Sequence, residues 1–208
     1  MNTNASAAVV QLRPANETRT VQTRTANDDA RGRKYLTRQE VHQLARAAKA
    51  GRQGARDALM IRLAFEHGLR VSELVGLKWQ ALSFSEQTIS ITRAKGSISG
   101  THPLQGETLR ALRRYHRDQG QPMQGFMFSS ERGAPLSVDG FRRLFGRLSA
   151  RTLGVQWNPH ALRHACGYHL INSGEDLRTV QAYMGHASIQ NTTVYTALSG
   201  RQFERLAF

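Results

Sequence analysis

The chain has 208 residues, enough for one well-buried domain, and its 39% hydrophobic content is ordinary for a soluble fold. Lys and Arg outnumber Asp and Glu by 29 to 15, and Lys34, Lys49, Lys78 and Lys95 are the only lysines; the excess of +14 is almost entirely guanidinium, whose planar fork suits phosphate and points to a polyanionic partner. Cys166 stands alone, which excludes an internal disulfide and a thiolate zinc cluster, and neither a signal-peptide core nor a membrane-length apolar run is present, so a cytoplasmic protein with no membrane partner is expected.

Residues 1–30 are rich in Asn, Thr, Ala and Arg without sustained periodicity and are expected to form a flexible tail, in which Arg13, Arg19 and Arg24 either brush the polyanionic partner or, equally, have no role. Residues 31–208 are expected to form one folded unit. Thr37-Arg38-Gln39-Glu40 has capping-box form and opens a helix that closes near Gly51. A second helix carries Leu59, Met60, Ile61, Leu63 and Phe65 and ends at His67-Gly68; the glycine fits a left-handed C-cap, so Arg70 falls at a sharp bend before Ser72 starts another helix. From Ala81 to Leu104 the period changes to two, with Thr88-Ile89-Ser90-Ile91-Thr92 alternating and Gly96 and Gly100 breaking the run, which predicts a small antiparallel sheet with Lys95 on a hairpin.

Helical spacing returns with Leu104, Leu109, Leu112 and Tyr115, and again from Ser137 through Phe141, Leu144, Phe145 and Leu148. Asn158-Pro159 supplies an N-cap and an N1 proline for a helix from His160 to Asn172, whose positions 160, 163 and 164 share one face. Leu177, Val180, Gln181 and Met184 mark a short helix stopped by Gly185, and Ser188 is expected to cap a last helix that carries Tyr195. The fold class is therefore mainly α with a small antiparallel β-sheet (α+β).

One ordered set of residues carries the functional signal: Arg70 in Gly68-Leu69-Arg70-Val71-Ser72-Glu73, Lys95, His160-Ala161-Leu162-Arg163-His164, Gly185-His186 and Tyr195. Each is ordinary alone. His160 and His164 at i and i+4 have zinc-pair spacing, but the glutamate of an H-E-x-x-H site is absent and Arg163 between them disfavours a cation, so no metal is expected. Together the set resembles the signature of the tyrosine recombinases (phage integrase family): His160 to His164 matches the H-x-L-R-H box, Gln181 to His186 resembles the family's L-G-H segment with Met184 in the leucine place, and Thr193-Val194-Tyr195 matches the tyrosine segment. The likeness spans roughly Tyr35 to Leu198, the catalytic domain, without the N-terminal core-binding domain common in the family. It is most similar to the short invertases that flip fimbrial promoter switches, and Ile98 and Gly100 stand where lysine and arginine are common.

The resemblance implies site-specific recombination of duplex DNA through a 3′-phosphotyrosyl link, by inversion or by integration and excision, without cofactor, metal or ATP. It implies Tyr195 as nucleophile, Arg70 and Arg163 as a phosphate clamp, Lys95 as general acid, His160 as base or phosphate donor, and His186 as a donor to a non-bridging oxygen, with Glu73 and His164 in support. It also implies a homotetramer on DNA, DNA-bending host proteins, and a nucleoid-associated location. Phe203, Leu206 and Phe208 near the end of the sequence offer apolar anchors for docking on a neighbouring protomer or, equally, on their own core. Two other functions remain open: a catalytically silent DNA-binding regulator of the same fold, and a type IB topoisomerase-like enzyme, whose family generally has another residue where His160 stands.

Overall fold

The computed structural model describes residues 33–93, 97–104 and 106–196. The tail over residues 1–30, Lys95 and the segment bearing Phe203, Leu206 and Phe208 lie outside the described residues.

Helix α1 (Arg38–Ala48) starts on the expected capping box: the Glu40 N–H donates to Thr37 Oγ1 at 3.2 Å and the Thr37 N–H to Glu40 Oε2 at 2.7 Å. Helix α2 (Gly54–Glu66) buries Leu59, Met60, Ile61, Leu63, Ala64 and Phe65, so it is apolar on nearly every side and runs through the middle of the domain. It packs on α1, on α4 (Gly106–Asp118) and on α6 (His160–Asn172), while α5 (Val138–Leu153) closes against α1 and against the short α3 (Val71–Val75).

A single 3-10 turn (Trp79–Ala81) leads into an antiparallel sheet of β1 (Leu82–Ser83), β2 (Thr88–Ile91) and β3 (Gly100–Pro103) in that order. Its period-two pattern holds: Ile89 and Ile91 are buried, Ser90 is exposed, and Ile89 pairs with the buried His102. Leu104, grouped by its spacing with α4, instead follows β3 and is buried ahead of that helix, because the strand pairing extends as far as Pro103.

Beyond α5, which Ser137 caps through the Gly140 N–H at 3.0 Å, the chain forms α6, α7 (Leu177–Met184) and α8 (Gln190–Thr193). Asn158 Oδ1 accepts the His160 N–H at 2.9 Å while Pro159 holds helical dihedrals, the expected proline-start arrangement. α7 packs on α6 and α8 on α7, so the three helix junctions meet at the end of α2, and the site assembles there.

Candidate active site

Helix α2 stops at His67, and Gly68 takes φ +58, a conformation that a side chain resists; a Cβ there would lie 2.5 Å from Met184 Sδ. The turn sends Leu69 into the core and releases Arg70 as the residue before α3, one position earlier than the expected start at Ser72. Glu73, one turn into α3, is buried and lies at the centre of the site. Its carboxylate accepts the Arg70 N–H at 2.9 Å and the Arg70 guanidinium at 2.7 Å, and its second oxygen accepts Arg93 Nη1 at 2.9 Å, with Arg163 Nη1 at 4.0 Å.

Burial alone would raise the Glu73 pKa, but the hydrogen bonds from Arg70 and the nearby Arg93 charge outweigh it and hold the carboxyl below its usual range. Among the described residues Glu73 is therefore an anion held by three guanidinium groups, and together these four groups keep a surplus of two positive charges. Arg70 remains about one-third exposed (32% of its side chain), whereas the Arg93 and Arg163 side chains are almost fully enclosed.

Arg163 reaches from α6 to two other junctions. Nη1 donates to the Gly68 carbonyl and Nη2 to the Met184 carbonyl at 2.7 Å. Burial, then Arg70 and Arg93, lower its pKa to about 10, so the guanidinium is still charged at neutral pH. Beyond Met184, Gly185 takes φ +65 and presents His186, whose Nδ1 lies 2.9 Å from Thr192 Oγ1 on α8. Burial, then Arg163, Arg70 and Arg93, depress His186 to about 4. His160 and His164 sit on the same helix as Arg163 but at different depths: Arg163 is buried, His164 half-buried and His160 at the exposed rim. The two rings meet edge to face at 4.6 Å. Burial followed by His160, Arg163 and Lys34 lowers His164 to about 4, and burial followed by Arg163 and Arg70 lowers His160. At neutral pH the positive charge here is thus guanidinium, with neutral imidazoles around it.

Tyr195 does not lie in a helix, contrary to the expectation from Ser188. α8 is four residues long and Tyr195 follows it in a turn, its N–H bonded to the Thr192 carbonyl at 3.0 Å. So short a helix has little stability of its own, and tertiary packing sets where it ends. The phenol ring is 2% exposed. It stacks on His186 at 6.2 Å and lies edge-on to Tyr168 at 5.1 Å and His164 at 5.9 Å. Its seat on α6 exists because residue 167 is glycine: a Cβ would fall 2.5 to 2.7 Å from ring atoms Cε2, Cζ and Cδ2. Burial raises its pKa to about 12, against the opposing pull of Arg163 and Arg70, so the resting phenol is protonated.

Arg70, Glu73, His160, Arg163, His164, His186 and Tyr195 therefore converge at one place, and Lys95 lies outside the described residues. Two further residues escaped the sequence reading. Arg93 continues the inward parity of Ile89 and Ile91, and that parity is the signal that could have marked it as a buried arginine. Gly167 interrupts a helix made of Ala161, Leu162, Ala165, Cys166 and Ile171, a place where glycine usually answers to close packing.

This mostly helical architecture, with a hairpin sheet beside the junction of α2, α6 and α7, is shared with recombinase catalytic domains. It superposes on the crystal structure of XerA recombinase with a TM-score of 0.73 at 24% identity, covering 84% of this chain and 66% of that one, which is a likeness of fold. The model of the phage integrase family matches residues 34–201, and the chain belongs to that family, the tyrosine recombinases; site-specific recombination is the activity that membership carries. It is 39% identical over 180 residues to the type 1 fimbriae regulatory protein FimE of Escherichia coli (strain K12), covering 84% of this chain and 90% of that protein. It is also 34% identical over 189 residues to the tyrosine recombinase XerD of Ralstonia nicotianae, covering 88% of this chain and 61% of that protein. Among the described residues no helix is long and apolar enough to cross a membrane.

Proposed function

We propose that this site cuts and rejoins duplex DNA by transesterification, with Tyr195 as the nucleophile that forms a 3′-phosphotyrosyl link. Arg70 and Arg163 receive the non-bridging oxygens, where the pentacoordinate transition state gathers its negative charge. His160 at the rim takes the phenolic proton or donates to the phosphate, His186 donates to a non-bridging oxygen, and Lys95 protonates the departing 5′ oxygen. Glu73 and His164 support these groups. The observation that carries the reading is the surplus of two positive charges in an enclosed cluster beside a buried phenol. A bound phosphodiester supplies the missing negative charge, and the guanidinium field lowers the cost of forming the phenolate.

The bond energy is retained in the phosphotyrosyl link, so the reaction proceeds without metal or ATP. The similarity to a fimbriae regulatory protein over nine-tenths of its length supports inversion of a regulatory segment as the outcome. A tetramer on DNA, with host proteins bending the sites, is the assembly this reading adds. A catalytically silent regulator is the second reading, favoured by the burial of Tyr195. Incubation with a suicide DNA substrate in the presence of a chelator decides between them: the wild type forms a covalent adduct and Tyr195→Phe forms none while still binding DNA. An adduct with the Phe variant refutes the nucleophile assignment, and the lack of any wild-type adduct favours the regulator.

A further inference from the structure

We propose that Arg93 is a positioning residue for the recombination reaction: it fixes Glu73 and the Gly68 carbonyl so that Arg70 and Arg163 stay aimed at the phosphate. The proposal rests on the recombinase reading above. Four hydrogen bonds use every Nη hydrogen of the Arg93 guanidinium. Nη1 donates to Glu73 Oε2 at 2.9 Å and the Gly68 carbonyl at 3.2 Å, and Nη2 to the His67 carbonyl at 3.0 Å and the Tyr183 carbonyl at 2.8 Å. A guanidinium saturated in this way, with only 1% of its side chain exposed, has no Nη donor left for a substrate. Its acceptors, however, are the ones the clamp depends on. Glu73 is the carboxylate that holds Arg70, and the Gly68 carbonyl is shared between Arg93 and Arg163.

Charge sets the effect of losing Arg93. Arg163 Nη1 already stands 4.0 Å from the Glu73 oxygen that Arg93 occupies. With Arg93 gone, that oxygen keeps the Arg70 N–H but loses the Arg93 guanidinium, and Arg163 is near enough to be drawn to it. A guanidinium paired with Glu73 is turned away from the phosphate and partly neutralised. The Arg93 stem also supports the turn before His186, since a Cβ on Gly185 would lie 3.0 Å from Arg93 Cγ and Nε. A lysine at 93 keeps the charge but has a single nitrogen, which cannot span four acceptors facing different elements.

The test is a double-mutant cycle on single-turnover cleavage at saturating protein, using Arg93→Lys, Arg70→Lys and the pair, with half-site DNA binding measured in parallel. The expected result is half-site binding by Arg93→Lys close to wild type and cleavage slower by about tenfold or more, short of the roughly 10²–10³ cost of losing a donor to the reacting group itself. The paired variant loses less than the product of the two single defects, because both act through Glu73. Wild-type cleavage by Arg93→Lys overturns the proposal, as does a strictly multiplicative pair. Loss of half-site binding by Arg93→Lys assigns the residue to the fold alone and overturns it too. If the wild-type protein itself forms no covalent adduct, the recombinase reading fails first, and the cycle shows this as zero cleavage in all four proteins.

Discussion

The arginine cluster and the tyrosine segment lie against each other yet are held by opposite means. Around Glu73, three guanidinium groups are tied to a carboxylate and to four backbone carbonyls at the ends of α2 and α7. Around Tyr195 there is a four-residue helix, a set of ring contacts and a gap where a side chain is missing from α6. On the function proposed above, the first is an electrostatic receptor assembled before substrate arrives, so that developing charge would meet oriented dipoles without reorganisation. The second is shape complementarity, which a small displacement can undo. The charge is therefore fixed in place, whereas the ring of Tyr195, the proposed nucleophile, is seated by packing.

The largest effects should fall on the cluster. Arg163→Met should slow single-turnover cleavage by about 10²–10³ and should also lower thermal stability, because the Met184 carbonyl loses a buried donor at about 1–3 kcal/mol while the Gly68 carbonyl keeps Arg93. Arg70→Met, at a position one-third exposed, should slow cleavage comparably with a smaller loss of melting temperature, since the buried Glu73 loses one guanidinium but keeps Arg93 and the Arg70 N–H. Equal melting losses for the two variants would erase the distinction between the buried anchor and the exposed donor.

Acid should break the same region through its histidines. His67 is depressed to about 3 by burial, then His102 and Arg93; His102 to about 4 by burial and Arg93. His164 and His186 are each lowered to about 4. The unfolded chain binds a proton at each near pH 6.5 and the folded chain does not, so the folded state is favoured at neutral pH and loses stability as pH falls from 6.5 toward 4. The slope is at most about 1.4 kcal/mol per pH unit for each such histidine. Chemical denaturation at pH 7.5, 6.5, 5.5 and 5.0 measures it. A flat profile would mean that the imidazoles titrate normally, so that burial first, and the guanidinium charges after it, depress them less than the geometry implies. Bound DNA should move the loss to lower pH only if it stabilises the fold; by raising the His186 pKa, its phosphates should also reduce the slope.

Most of the cluster was legible because its residues carry local signatures. Gly68 and Gly185 mark left-handed helix ends, which is how the bends at Arg70 and His186 could be placed, and Asn158-Pro159 marks the start of α6. Arg93 was not legible as part of the site because its four acceptors are backbone carbonyls and a carboxylate brought together from His67, Gly68, Glu73 and Tyr183, a long-range arrangement with no trace in spacing. The Tyr195 seat was missed for a related reason. The Ser188 signal promised a helix through the tyrosine, but the ring packing on α6 sets the backbone there, and contacts between residues 167 and 195 leave no periodicity to read.

The smallest expected effect is also the sharpest test of how Tyr195 is held. Replacing a glycine inside an exposed helix by alanine ordinarily stabilises it by up to about 1 kcal/mol, since the backbone loses less entropy on folding. At position 167 the new methyl group would meet the Tyr195 ring at 2.5 to 2.7 Å, and overpacking of that kind costs about 1–3 kcal/mol unless the ring moves out. Gly167→Ala should therefore lower the melting temperature, or leave it unchanged with Tyr195 newly exposed to solvent, as quenching of tyrosine fluorescence would report. In a Tyr195→Ala background the obstacle is gone, and the same substitution should become stabilising. The change of sign between the two backgrounds is the signature of a direct steric contact, because a general preference for alanine in α6 would stabilise both. Stabilisation of equal size in both would show that the phenol does not rest against Gly167, and the idea of a nucleophile seated by packing would fall with it.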